Sequence, residues 1–522
     1  MTPRSARPAR PAALVAAGIL LSRIVGLVRT RVLAHYLATS DAADAFAAAF
    51  RIPNFLQNLF GEGSLSASFI PVYAGLLARG DRKEADRVAG AVGAVLALLV
   101  SVLVLTGVLL APILVDLLTP GFENEKRELA IRLVRILYPG AGLLVLSAWC
   151  LGILNSHGRF FLSYAAPVIW NAAIIIALVG ARDGTSMFRL AEIAAWGSVV
   201  GSGLQFAVQL PAVMLVAGRL RPRLAAASAH VRDVARNFVP ALVARGVVQV
   251  SAYVDALLAS LLPTGALAAL AYAQILYTLP VSLFGMSVSA AELPAMSGAT
   301  GDLAAIAAQL RRRLDGGLRE IAFHVVPSAV AFAALGQVLT AAVFQSGQFT
   351  RDDSYYVWGI LAGSAVGLLA STMGRLYASA FYALRDTRTP LRFAVFRVGL
   401  TVVLGYVAAL PLPPALGIAQ RWGAAGLTLS AGIAGWIEYH LLKRTLEARI
   451  GPTGFDRGYG LRIWCAALAA AAAGGAAAVL LPFRHPVSLA AVVVLIYGAV
   501  YYGVGAVLGV EQARRVVRRL GG

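Results

Sequence analysis

Between residues 23 and 62 the chain places Arg23, Arg29, Arg31, Asp44, Arg51 and Glu62 inside runs that are otherwise apolar. Guanidinium groups shielded from water bind phosphate or carboxylate oxygens through forked, charge-assisted hydrogen bonds. An ionised side chain at mid-bilayer costs about 2.5–3.5 kcal/mol on insertion scales, so such residues are expected to line a wet cavity or a transport pathway. At about 100° per residue, Asp44, Arg51 and Glu62 return to one helical stripe if the helix runs on. Pro53, and Gly61 and Gly63 on either side of Glu62, argue for a bend or opening, which at membrane depth is tolerated only against protein or water. The competing reading of Arg51 and Glu62 is a buried structural ion pair. For Arg29 and Arg31 it is snorkelling to the interface. Later in the chain the apolar runs hold fewer charges: Arg245, Asp255, Glu292, Arg375 and Arg397. Asp255 either holds a cation or proton, or neutralises a nearby arginine; the residues alone leave both open.

The elements that must position these groups follow from composition. Of 522 residues, 59% are apolar and 13% charged, and a mean hydropathy of +0.76 excludes a water-soluble enzyme. Apolar runs long enough to cross a bilayer recur fourteen times, at 12–38, 41–78, 88–115, 129–155, 160–181, 190–217, 237–262, 265–297, 320–345, 354–384, 391–412, 422–442, 463–482 and 486–509. The expected fold is an all-α polytopic membrane protein with no room for a sizeable soluble domain. A formal charge of +20 would point to nucleic acid in a soluble protein, but here most Lys and Arg fall in the N-terminus, the even-numbered connections and the C-terminus. By the positive-inside rule both termini are cytoplasmic. Clusters such as Arg311, Arg312 and Arg313 are topology signals that also touch lipid phosphates, and no nucleic-acid partner is expected. Arg4, Arg7 and Arg10 before an apolar run imitate a signal peptide, but Arg23, Arg29 and Arg31 follow without a small-residue cleavage site, so the first helix is read as uncleaved. Cys150 and Cys465 both fall in spans, and no disulfide or metal spacing exists.

A weak internal repeat sets the architecture. Ser66–Pro71 resembles Ser289–Pro294, Gly142–Leu144 resembles Gly367–Leu369, and Ala13–Gly18 resembles Ala241–Gly246, at nearly constant offset. That offset holds six helices, an even number, so both copies share one orientation. The expected domains are a six-helix N-lobe (1–225), a six-helix C-lobe (226–448) and two further helices (449–522), with a transport pathway between the lobes.

The segment Arg51–Pro71 (RIPNFLQNLFGEGSLSASFIP), with Ser22–Arg29 (SRIVGLVR) and Asp44–Phe46, closely resembles the MurJ/MviN family of lipid II flippases. Asn155–Phe160 (NSHGRF), Phe344–Thr350 (FQSGQFT) and Phe381–Pro390 (FYALRDTRTP) extend the resemblance along the whole chain in order. It implies a multidrug/oligosaccharidyl-lipid/polysaccharide-type fold with alternating access and a cationic cavity lined by Arg23, Arg29, Asp44 and Glu62. It also implies that the last two helices form a groove for the lipid tail. The implied cargo is lipid II, an undecaprenyl diphosphate carrying a disaccharide peptide, carried from the inner to the outer leaflet of the bacterial plasma membrane. A monomer surrounded by membrane lipids is expected.

Three departures from the family pattern matter. Gln57 and Asn58 stand where basic residues are usual, and Gln274-Ile275 replaces an Asp-Arg pair. Among positions matching a sodium site, Asp255 is acidic but the later ones read Thr401 and Gly405. Arg245 is a candidate to supply the missing cavity charge. No cofactor is expected; sodium, protons or the membrane potential are the candidate drives, with Asp255 and Thr401 as tentative cation positions. Rival readings are export of another polyprenyl-linked glycan and a cation-coupled multidrug exporter. A membrane transferase would need a long outer loop with acid and base groups, whereas the outer connections are short and the six histidines are scattered.

Overall fold

The computed structural model describes residues 9–217, 229–298, 302–483 and 485–521, and among these the secondary structure is helical. The backbone groups satisfy one another inside each helix, as a hydrocarbon environment demands. The chain divides into two compact units, residues 1–261 and 262–522.

The first unit holds α1 (Ala9–Leu37), α2 (Asp41–Phe60), α3 (Glu62–Ala78), α4 (Arg82–Leu109), α5 (Ala111–Leu118), α6 (Asn124–Ser156), α7 (Phe160–Val179), α8 (Met187–Val216) and α9 (Ala229–Ser260). Helix α6 is its centre, packed against α2, α3, α4 and α8. Phe69, Tyr73, Val88, Val145, Trp149 and Ile153 are in its core. Helix α9, which the repeat assigns to the C-lobe, packs against α2 and α3.

The run at 41–78, read as one span, is two helices. Pro53 stays inside α2, and the break falls eight residues later at Gly61, whose backbone is extended (φ −81°, ψ −150°). Its N–H reaches Gln57 O at 2.8 Å, and a Cβ there would lie 2.2 Å from that oxygen, so only glycine fits. Asp44 and Arg51 therefore share a helix, whereas Glu62 opens a new one.

The second unit holds α10 (Ala266–Pro280), a π-helical turn at Val281–Met286, α11 (Ser287–Ser297), α12 (Leu303–Phe344), α13 (Arg351–Ala383), α14 (Arg388–Ala409), the short α15 (Leu412–Ala415), α16 (Gly423–Ile450), α17 (Arg457–Leu480), α18 (Pro486–Val507) and α19 (Glu511–Gly521). Helices α13 and α16 touch backbone to backbone: a Cβ on Gly367 would lie 2.4 Å from Gly432 Cα. Small residues permit this approach, which supplies the van der Waals contact that drives helix association in lipid. Thr428 Oγ1 donates across the seam to Ile360 O at 2.9 Å. Helices α17 and α18 pack on α12, with Tyr497 and Tyr501 donating to Pro327 O (2.7 Å) and Phe323 O (2.6 Å).

Ten helical segments among the described residues are long and apolar enough to cross a bilayer. The other four expected spans fall on α1, the broken α2–α3, α9 and α16. Three motifs outside α1–α3 turn out to be punctuation. Asn155–Phe160 joins α6 to α7, where His157 Nε2 and the Tyr73 hydroxyl share a 2.9 Å hydrogen bond. Phe344–Thr350 joins α12 to α13 and ends in a capping box between Thr350 and Asp353. Phe381–Pro390 joins α13 to α14. There Asp386 accepts from the N–H of Thr389 (3.0 Å) and the Thr389 hydroxyl (2.7 Å) and pairs with Arg449 (2.8 Å).

Two outcomes follow from this packing. Gly367→Ala forces α13 and α16 apart and is expected to cost about 1–3 kcal/mol, read as a lower unfolding temperature of the purified chain. Gly374→Ala, inside α13 with open space around it, is the control that does not lower the temperature, since alanine favours a helix interior over glycine. The Thr389 N–H and hydroxyl, with Arg449, hold the Asp386 carboxyl down to about 2. A carboxylate depressed in the folded state stabilises above its ordinary pKa and loses that contribution as pH falls. The protection factor of the Thr389 amide, its exchange rate corrected for the intrinsic rate at each pH, is therefore expected to fall between about pH 4 and pH 2, and to be low throughout in Asp386→Ala.

Candidate functional site

Among the described residues of the first unit, several intramembrane charges are drawn to charged partners, and Arg29 forms no ion pair. At the N-terminus of α2, Asp44 is 2% exposed. Its Oδ2 accepts from Lys126 Nζ at 2.7 Å, while the same ammonium reaches Asp41 Oδ1 at 2.9 Å. Lys126 also sits over the Phe122 ring, 4.5 Å from its centre. Two carboxylates and a ring face suit an ammonium, so Lys126 ties Asp44 to α6.

Further along α2, Arg51 is half-buried and is attracted by the Asp255 carboxylate of α9. The Tyr253 hydroxyl donates to Arg51 O at 3.1 Å, and its ring meets Phe55 edge-on at 5.6 Å. Asp255 thus has an arginine within electrostatic reach, as its neutralising reading expects.

Arg29 of α1 is different. Its guanidinium carbon lies 4.9 Å from the ring of Trp170 on α7 and 5.7 Å from the ring of Phe50 on α2. These rings stack on each other at 5.8 Å, and Trp170 is oriented by donating to Ser198 Oγ of α8 at 3.1 Å. Arg29 forms no ion pair with any described residue, and its Nε is buried without a hydrogen-bond partner. Ring faces hold the cation while leaving its hydrogen-bonding edge for an anion. Arg23, on the same helix, has an exposed side chain. The Glu62 and Arg245 side chains lie outside the described residues.

Beside these charges a cavity of about 250 Å³ opens between α2, α3, α6, α7 and α8. Gln57 and Asn58, the two neutral departures on α2, line it with Ser147, Ser163 and Gln205.

In the second unit, Gln274 is exposed and donates to Thr278 Oγ1 of its own helix at 3.2 Å. Thr401 is 6% exposed, with its hydroxyl unpartnered. Arg397 lies 2.9 Å from Glu438 on α16.

Two partners escaped the sequence reading. Glu438 lies inside an apolar run, and the rule that selected the other intramembrane charges would have selected it. Lys126 had no such signal: it lies in a connection, and its link to Asp44 spans 82 residues, a distance at which no local pattern speaks.

The family model described as "Lipid II flippase MurJ" matches residues 33–498. A Burkholderia cenocepacia protein called lipid II flippase MurJ is 31% identical over 514 residues, covering 95% of this chain and 96% of that one. A Haemophilus influenzae protein called a probable lipid II flippase MurJ is 30% identical over 82% of this chain and 84% of its own length. Among solved structures, a lipid II flippase MurJ in an inward closed conformation superposes with a TM-score of 0.76 at 23% identity, covering 97% of this chain and all of that one. An inward-facing multidrug resistance MATE transporter of the MOP superfamily gives 0.65 at 17% identity over 84% of this chain and 98% of its own. These two establish the all-α polytopic fold class that composition implied. With its profile matched across most of the length, the chain belongs to the lipid II flippase MurJ family.

Proposed function

We propose that this chain is the lipid II flippase of its cell, carrying the undecaprenyl diphosphate-linked disaccharide peptide from the inner to the outer leaflet by alternating access. Family membership over residues 33–498 is the observation that carries the reading, and the Arg29 geometry gives it a mechanism. A diphosphate cannot cross bare hydrocarbon at a useful rate, because an isolated charge in low dielectric costs many kcal/mol. Arg29 replaces the lost water with charge-assisted hydrogen bonds, and its planar fork matches phosphate oxygens. Its resting place against Trp170 and Phe50 supports this role: with no carboxylate partner among the described residues, binding an anion breaks no ion pair.

Arg23 follows Arg29 on α1 as a second phosphate contact. Arg51 enters only when Asp255 yields it, which makes the pair a switch between loaded and empty states. Glu62 and Arg245 keep their assignment to the cavity wall, and the polyprenyl tail stays in lipid along α17 and α18. The protein sits in the bacterial plasma membrane with both termini cytoplasmic, acting as a transporter.

The membrane potential is the drive this arrangement favours. An inside-negative potential assists outward movement of an anion by about 2.3 kcal/mol per charge per 100 mV. Asp255, which a coupling sodium ion would need, is already attracted to Arg51. Thr401 offers a buried hydroxyl but no charge.

Two experiments test the proposal. In vesicles containing only this protein, Arg29→Ala is expected to lower lipid II flipping at least tenfold. Arg29→Lys, which keeps the charge and loses the fork, is expected to retain a measurable part. Wild-type rates from both variants would refute the role. In the same vesicles without sodium, an inside-negative potential set with potassium and valinomycin is expected to accelerate outward flipping, and collapsing it to slow flipping several-fold. A rate that follows sodium and ignores voltage would reverse the assignment of the drive.

A further inference from the structure

The cavity between α2, α3, α6, α7 and α8 has no charged residue in its described lining, so nothing there neutralises a phosphate. We propose that it binds the neutral, hydrogen-bonding part of the cargo, a sugar ring bearing hydroxyl and amide groups. This rests on the lipid II reading and divides head-group recognition into a cationic and an uncharged subsite.

Gln205 is 7% exposed and lines the cavity. Its Nε2 donates to Ser147 Oγ at 2.8 Å, and Ser147 donates to Gln209 Oε1 at 2.6 Å. That chain leaves Gln205 Oε1 and Gln209 Nε2 buried without partners. A buried polar atom left unsatisfied costs about 1–3 kcal/mol, and most buried polar atoms have partners. The orphan in the cavity wall is an acceptor, so it asks for a donor. Fully ionised phosphate offers none, whereas sugar hydroxyls and an acetamido N–H do. Turning over both amides reverses the chain through the Ser147 hydroxyl and presents an N–H in place of the oxygen. The wall thus accepts a group that both donates and accepts, as a sugar does.

Size and position agree. About 250 Å³ is below the roughly 300–1,000 Å³ of sites for drug-sized ligands, so one ring fits and a whole disaccharide peptide does not. Gln57 and Asn58 reach it from α2, the helix that also carries Arg51. Their neutral amides make that part of the wall hydrogen-bonding rather than charged.

The test compares binding of two probes to the purified full chain in nanodiscs: undecaprenyl diphosphate, which has the phosphates alone, and lipid II. Gln205→Leu is expected to weaken lipid II binding about threefold to tenfold and leave undecaprenyl diphosphate binding unchanged. Gln57→Leu, at a half-buried position with no side-chain hydrogen bond among the described residues, is expected to do the same and decides the matter if Gln205→Leu fails to fold. Unchanged affinities for both probes, the result for a cavity that holds only water, overturn the proposal. Equal loss for both probes overturns it too. If the wild type binds neither probe, the lipid II reading falls and takes this one with it; if it binds both and the variants do not separate them, only the sugar subsite falls.

Discussion

A guanidinium held in apolar surroundings without a carboxylate is the constraint on which the first unit depends. Removing such a charge from water is costly unless something replaces the hydration. Here the replacement is aromatic: Arg29 rests against Trp170 and Phe50, an interaction worth about 0.5–2 kcal/mol depending on desolvation. That is enough to position the group and too little to satisfy it. The Trp170 hydrogen bond to Ser198 and the packing of α1 on α7 and of α7 on α8 hold the platform in place. Three helices therefore share the work of keeping one cation available.

The remaining charges show why Arg29 stands apart. Lys126 closes on Asp41 and Asp44 and ties α6 to the start of α2, a structural clamp. Arg51 and Asp255 attract each other between α2 and α9, with Tyr253 bridging to the α2 backbone. A paired cation can bind cargo only by leaving its partner, so the same residue types serve anchoring, switching and capture according to what lies within a few ångströms.

Much of this was readable in the sequence, for physical reasons that also mark its limits. Long apolar runs have one stable solution in lipid, a helix, so the all-α class followed from composition. Intramembrane charges are expensive, so Arg29, Arg51 and Asp44 announced themselves by type and depth. What the residues withheld was pairing. Pro53, Gly61 and Gly63 all argued for a bend near Glu62, and of these the break comes at Gly61, where a carbonyl presses against the backbone. Asp44 finds its cation 82 residues away, and no periodicity encodes that. The Gln57-Asn58 departure looked like a loss of charge; only the fold brings it beside Gln205 and Ser147 and makes it a surface with a chemistry of its own.

The most direct test of the account is a cryo-electron microscopy structure of the full chain in a nanodisc with lipid II bound. The diphosphate is expected within hydrogen-bonding distance of the Arg29 guanidinium, with the side chain drawn off or along the Trp170 face to present its fork. A diphosphate bound elsewhere, with Arg29 still resting between Trp170 and Phe50, would contradict the claim that this arginine exists to carry phosphate through the membrane.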